Sequence, residues 1–406
     1  MIKTIASRYI ISILVFIVLI WYHFYGYVGL TNYSQIFNGV AYVVSFSLLI
    51  YCFNIYSFKS HKILTLLLLN VFISMLMSIM FWNTSIVDIL KGYRIYYLVF
   101  IFFFLCKINA DRKDVEHALF LLGIIYFLCW LYQVIRVPEL VFGMDRDDNL
   151  GSTEERGFYR FFIPTKEHLP FLVLYMYELY RRYKRKIYIC LSVFFFIVVI
   201  LHVTRQTIFF SFVSLCMLII YFNRKKWMHL VLASFFMVIT VSVIAENIPT
   251  ISLLLEQTRE QTSNVEDDIR LKCIKFYVDK SSENPITLIL GNGLSFAGEL
   301  KKFTDRAMDL GYYKSDIGFF GMLFDFGLFG VFIYLILFAK ILTCKVEDRY
   351  TYMKFYMIYV YCSYLLSHTL TTNIFFNMCV IYILFSSNRD RIRNFQLNRK
   401  VVNISK

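Results

Sequence analysis

The chain is predicted to be an all-α polytopic membrane protein of about twelve transmembrane helices. Three observations predict it. Hydrophobic residues make up 59% of its 406 residues and aromatics 19%, and the mean hydropathy is +0.60, too apolar for a soluble fold of this length. Apolar runs long enough to cross a hydrocarbon core recur from end to end. The basic excess, 42 Lys and Arg against 28 Asp and Glu for a net charge of +14, gathers on alternate connections between those runs.

A membrane helix needs roughly 17–25 apolar residues, because each residue rises about 1.5 Å across a core of about 30 Å. On that measure spans are expected at 9–30, 36–57, 63–82, 86–106, 118–135, 167–180, 187–203, 206–222, 228–246, 316–340, 355–371 and 372–387. The first follows a short basic flank, Lys3 and Arg8, and lacks a small-residue cleavage site, so it reads as a retained span. The fourth carries Lys91 and Arg94, and the sixth is short and contains Glu178. Thr371-Thr-Asn373 must turn tightly between the last two.

With the N-terminus inside, every inner segment holds Lys or Arg: Lys59 and Lys62, Lys107 to Lys113, the run Arg181 to Lys186, Arg224 to Lys226, Lys340 to Lys354, and the tail beyond Ser386. The outer connections and intramembrane positions together are net acidic. Topology therefore explains the charge, and no nucleic acid is needed. Eight of the nine cysteines lie in or at the ends of apolar runs, leaving only Cys273 in a long polar loop. There is no disulfide framework, no metal-ligand spacing and no call for a cofactor.

Two outer loops are long, 136–166 and 247–315, in what is otherwise a single integral membrane domain over 1–406. In the larger, Ile269, Cys273, Phe276 and Tyr277 recur at helical spacing, predicting an amphipathic helix at the outer membrane surface. Asn284-Pro285 ends that pattern, a strand-like Ile286–Leu290 follows, and Gly291-Asn-Gly293 makes a turn.

Charges near the outer surface are the candidate functional residues. Arg205, in His202-Val-Thr-Arg-Gln206, lies against the positive-inside bias at an outer hairpin. It either snorkels to headgroups or clamps an anion with its guanidinium fork. Arg270 follows Glu266-Asp-Asp268 and is open to a salt bridge there or to a ligand; Arg160 is a loop charge or a ligand contact. Asp316, at the head of the tenth span, caps that helix or takes a proton from a sugar hydroxyl. Asp325 lies within the span, where a charge is a functional candidate by default, or else stays protonated or hydrogen-bonds a neighbouring helix.

In order and topology these features resemble the bacterial O-antigen and capsular polysaccharide polymerase family, related to the O-antigen ligases. About twelve spans, Thr204-Arg-Gln206 at an outer hairpin, and a largest loop holding Arg270, Pro285 and Gly291-Asn-Gly293 carry the resemblance, together with Asp316 and Gly327-Leu-Phe-Gly330. It implies a GT-C-like helical fold with short helices in the large outer loop. It also implies an inner-membrane glycosyltransferase, both termini cytoplasmic, that joins repeat units carried on undecaprenyl pyrophosphate into O-antigen, capsular or exopolysaccharide. A flippase and a chain-length regulator are the implied partners besides membrane lipid. By the same resemblance Arg205, Arg270 and Arg160 hold the pyrophosphate, Gly291 and Gly293 line the glycan site, and Asp316 is the catalytic base. The ligases place a His, often followed by Asn, where this chain has Ser315-Asp316, which argues against ligase activity. A ligase-type transferase and a flippase for lipid-linked glycans are the alternatives; for a flippase, related halves are expected and no internal repeat is present.

Overall fold

The computed structural model describes residues 9–52, 61–137, 139–143, 163–202, 205–223, 268–365 and 373–404. The expected ninth span at 228–246, Arg160, and the Thr371-Thr372 part of the last turn lie outside them. Among the described residues the chain is helical, with no strand and one isolated bridge between Tyr27 and Phe142.

Five helices are long and apolar enough to cross a membrane: α2 (Ser34–Cys52), α3 (Lys62–Trp82), α4 (Ile86–Ile108), α5 (Arg112–Ile135) and α12 (Gly318–Thr343). Six further helices fall at expected spans other than the ninth. These are α1 (Ile10–Trp21), α6 (His168–Tyr183), α7 (Lys186–Leu201), α8 (Arg205–Phe222), α13 (Thr351–Tyr364) and α14 (Ile374–Ile404), the last running well past the expected end at 387. Helix α1 stops at Trp21, short of the expected 30, because His23, Phe24 and Tyr25 adopt left-handed backbone, with φ of 47°, 51° and 60°. Tyr25 is anchored there by its hydroxyl, which donates to the Leu122 carbonyl at 3.1 Å.

Helices α13 and α14 are apolar on nearly every face and almost wholly buried through Phe385, as the core of a bundle requires. Helix α14 packs against α4, α5 and α13, and α13 against α6 and α8. Helix α4 changes pitch midway, with a 3-10 stretch over Tyr93–Val99 that eclipses Tyr93 and Tyr96 on one side.

Buried carboxylates in the bundle are paired. Glu116, fully buried, accepts from Arg349 Nε at 3.1 Å and from the Tyr352 hydroxyl at 3.0 Å, with Arg182 at 3.6 Å. Glu178, the residue that weakened the sixth span, accepts from Arg181 at 2.8 and 2.9 Å and from Arg182 at 3.0 Å. These pairs draw together the start of α5, the end of α6 and the approach to α13. A buried carboxylate is tolerated only with such partners.

The long loop before α12 folds into helices of its own: α9 (Ile269–Ser282), α10 (Pro285–Leu290) and α11 (Gly298–Asp309). The expected amphipathic helix is α9, and Cys273 and Tyr277 on its apolar face are buried against Leu300 and Ala307 of α11 and Phe324 of α12. Its Ile269 is exposed. Helix α11 presents Leu300, Thr304 and Ala307 inward at the same spacing, with Phe303 packed beside them. The strand-like reading of Ile286–Leu290 is corrected. Pro285 pre-sets the first helical position and Asn284 accepts from the Ile286 amide at 2.9 Å, so this dipeptide starts a helix as well as ending one.

Candidate functional site

The site is built where α12 is interrupted. Gly327 has φ 68° and ψ −178°, a conformation essentially confined to glycine, and the helix is broken there. In an unbroken helix the carbonyls of residues 324 and 325 would accept from amides four residues on. The break leaves them needing other donors, because a buried carbonyl without one costs about 1–3 kcal/mol.

Gly291-Asn-Gly293 supplies those donors from outside the helix. The Asn292 amide donates to the Phe324 carbonyl at 2.7 Å and the Gly293 amide to the Asp325 carbonyl at 3.0 Å. The Ser74 hydroxyl adds a second donor to Asp325 at 3.0 Å. Approach this close requires glycine: a Cβ on Gly291 would lie 2.4 Å from the Asp325 oxygen, and one on Gly293 1.8 Å from Ser78 Oγ. Both have left-handed φ, 86° and 88°. The Gly291 amide donates to Thr287 at 2.8 Å, so all three amides of the turn are engaged within the protein. A hydroxyl knot beneath completes it: Tyr93 accepts from the Leu294 amide at 2.9 Å and lies 2.7 Å from Ser74 Oγ.

Above this joint sits an ion pair. Lys314 Nζ is 2.6 Å from Asp325 Oδ1 and 3.1 Å from Ser295 Oγ. The Asp325 side chain is 4% exposed and that of Lys314 15%. Lys314 was not a candidate on sequence; the available signal was a lone cation just before a span containing an aspartate, which in a membrane demands a counter-charge.

Asp316 ends the short 3-10 turn Lys314–Asp316 and is exposed, its Oδ1 accepting from Ser315 Oγ at 3.2 Å. Its reading as a helix cap is corrected: the cap position of α12 is Ile317, and no side chain caps it. Asp316 borders α9. The Cys273 thiol there donates to the Tyr313 carbonyl at 3.7 Å and is pushed up to about 11, by burial first and by the charge of Asp316 second.

Arg270 lies in the first turn of α9, one turn from Cys273, with an exposed side chain. Of the acidic cluster before it, Asp268 caps the helix by accepting from the Arg270 amide at 2.8 Å. Arg270 and Asp316 thus both lie by α9, Arg270 on it one turn from Cys273 and Asp316 facing Cys273. Arg205 opens α8, which packs against α13, and its side chain lies outside the described residues, as does Arg160. Chemically the arrangement offers an exposed carboxylate able to take a proton, an exposed guanidinium suited to phosphate, and a buried ion pair. Comparison of the chain with protein-family models, curated proteins and solved structures found no match.

Proposed function

We propose that this protein polymerises undecaprenyl-pyrophosphate-linked repeat units at the outer face of the bacterial cytoplasmic membrane. It does so through twelve spans in a GT-C-like arrangement, with both termini cytoplasmic. The observation that carries the reading is the pair of exposed charges by α9, Arg270 and Asp316, with the Lys314–Asp325 ion pair next to Asp316 at the head of the broken helix α12. Asp316 takes the proton of the acceptor sugar's hydroxyl as that oxygen bonds to the anomeric carbon of the growing chain. The bond from that carbon to the pyrophosphate oxygen breaks, and the lipid pyrophosphate leaves with the electron pair. Arg270, with Arg205 and Arg160, stabilises the departing charge. Gly291 and Gly293 contribute by shaping the floor.

Purified protein in nanodiscs with a lipid-linked repeat unit tests this. Arg270→Ala is expected to leave single repeat units at least tenfold in excess of long chains, and Asp316→Asn to abolish elongation. A normal chain-length distribution in both variants refutes the roles. The discontinuous α12 with its buried ion pair favours a second reading, a flippase, since such breaks also build transporter sites. Transbilayer movement of the lipid-linked unit with no change in its length would select it.

A further inference from the structure

The span α4 carries two cations that the site above does not use, Lys91 and Arg94. Both sit at the outer end of a membrane helix, where a charge is costly and the positive-inside bias runs against them. Beside them lies a groove of about 660 Å³, almost wholly apolar, between α2 and α3. That volume is within the range of about 300–1,000 Å³ typical of small-molecule sites. Tyr96, Tyr97 and Phe100 of α4 form its floor; Val43 and Phe46 form one wall and Phe72 the other.

The turn that carries the cations borders this groove. The Tyr42 hydroxyl, on the lining, donates to the Lys91 carbonyl at 3.2 Å, and Leu90, also on the lining, directly precedes Lys91. Arg94 donates to Asn38 Oδ1, and Asn38 stands one helical turn from Tyr42 on the same face of α2. His23 Nε2 lies 3.2 Å from the same oxygen. The acidic residue on this turn, Asp88, accepts from the Ser85 hydroxyl at 2.7 Å. The Lys91 side chain is exposed. An apolar slot bordered by an exposed lysine and by an arginine held on Asn38 matches one shape of molecule: a hydrocarbon chain with an anionic head.

We propose that this groove seats the isoprenoid chain of a polyprenyl phosphate, its phosphate held by Lys91 and Arg94. The phosphate-headed chain follows from the groove; its isoprenoid identity rests on the polymerase reading above. The phosphate offsets the cost of two cations in the span. The placement also joins the lipid to the candidate site. The Tyr96 ring packs on Phe326 at 5.2 Å, and Tyr93, on the same 3-10 stretch, holds Leu294 beside the Gly327 break.

Full-length protein in phosphatidylcholine nanodiscs is photolabelled with undecaprenyl monophosphate bearing a diazirine in its chain, without acceptor glycan. Labelling is expected on α2 and α3, at least tenfold stronger than with the equally tagged neutral polyprenol. It is expected to fall at least tenfold in the Lys91→Gln, Arg94→Gln double variant and in Val43→Trp, which fills the slot at an exposed position. Lys91→Arg with Arg94→Lys keeps the charge and should retain most labelling, which separates loss of charge from loss of fold. Equal labelling by polyprenol, label mapped elsewhere, or indifference to the double substitution overturns the proposal, and so does equal displacement by a diacyl phosphatidate. The readout needs no turnover, so a protein that labels but never elongates sinks only the polymerase reading, and one that elongates without labelling sinks only the groove.

Discussion

Replacing Gly327 by Ala tests whether the joint between α12 and the outer loop is as constrained as its geometry implies. An Ala at φ 68° and ψ −178° enters a region essentially reserved for glycine, at about 1–3 kcal/mol. Its Cβ would also lie 2.2 Å from the Ile289 oxygen, 2.4 Å from the Ile289 carbonyl carbon and 2.5 Å from the Gly291 nitrogen, all backbone atoms that cannot rotate away. Relief requires withdrawing the turn, which opens the 2.7 Å bond from Asn292 to Phe324 and the 3.0 Å bond from Gly293 to Asp325. Each bond left unmade in the interior costs about 1–3 kcal/mol. Strain plus one bond gives a loss of about 2–6 kcal/mol, and strain plus both about 3–9 kcal/mol, a large fraction of the about 5–15 kcal/mol that holds a typical protein folded. Gly39→Ala is the internal control: it lies inside α2 with nothing within 4 Å of the added carbon, so it should gain about 0.5–1 kcal/mol. Equilibrium unfolding in mixed micelles, followed by tryptophan fluorescence, reads both. A Gly327→Ala protein within about 1 kcal/mol of the parent would refute the reasoning, because neither the strain nor the lost bonds could then be real.

Three further outcomes follow from the same geometry. Lys314→Met strands the Asp325 carboxylate, 4% exposed, and should cost about 3–5 kcal/mol, while Asp325→Asn costs less because the longer lysine, 15% exposed, can reach toward solvent. The double variant Lys314→Met, Asp325→Asn should recover most of the loss, and additive single effects in that cycle would show the pair does not interact. Cys273, with its thiol pushed up to about 11, should be about 0.1% thiolate at pH 8 and resist alkylation in folded protein; rapid labelling there would place it in water. Because the folded value is raised, the associated stability is complete below the unfolded value of about 9 and is lost as pH climbs toward 11, which a melting series across that window reads.

Much was legible in the residues alone, for reasons of solvation and period. Apolar runs announce membrane helices because lipid cannot hydrate a backbone, and α2, α3, α5 and α12 fall close to the expected positions. Helical spacing of Cys273 and Tyr277 announced the buried face of α9, and the same spacing of Leu300, Thr304 and Ala307 would have revealed α11. Asn284-Pro285 misled because the dipeptide that stops one helix also starts another.

Local composition and periodicity announce an all-helical chain with helices long and apolar enough to cross a membrane, and a long loop before α12 that carries helices of its own. Only the tertiary structure decided that Gly291-Asn-Gly293 feeds hydrogen bonds to a break at Gly327, that Lys314 is the counter-charge of Asp325, and that Asp316 caps nothing. The physical reason is that a broken helix must borrow donors, and a buried charge a partner, from wherever the fold brings them. Residues 292 and 324 meet across 32 positions of chain, a pairing no local period records.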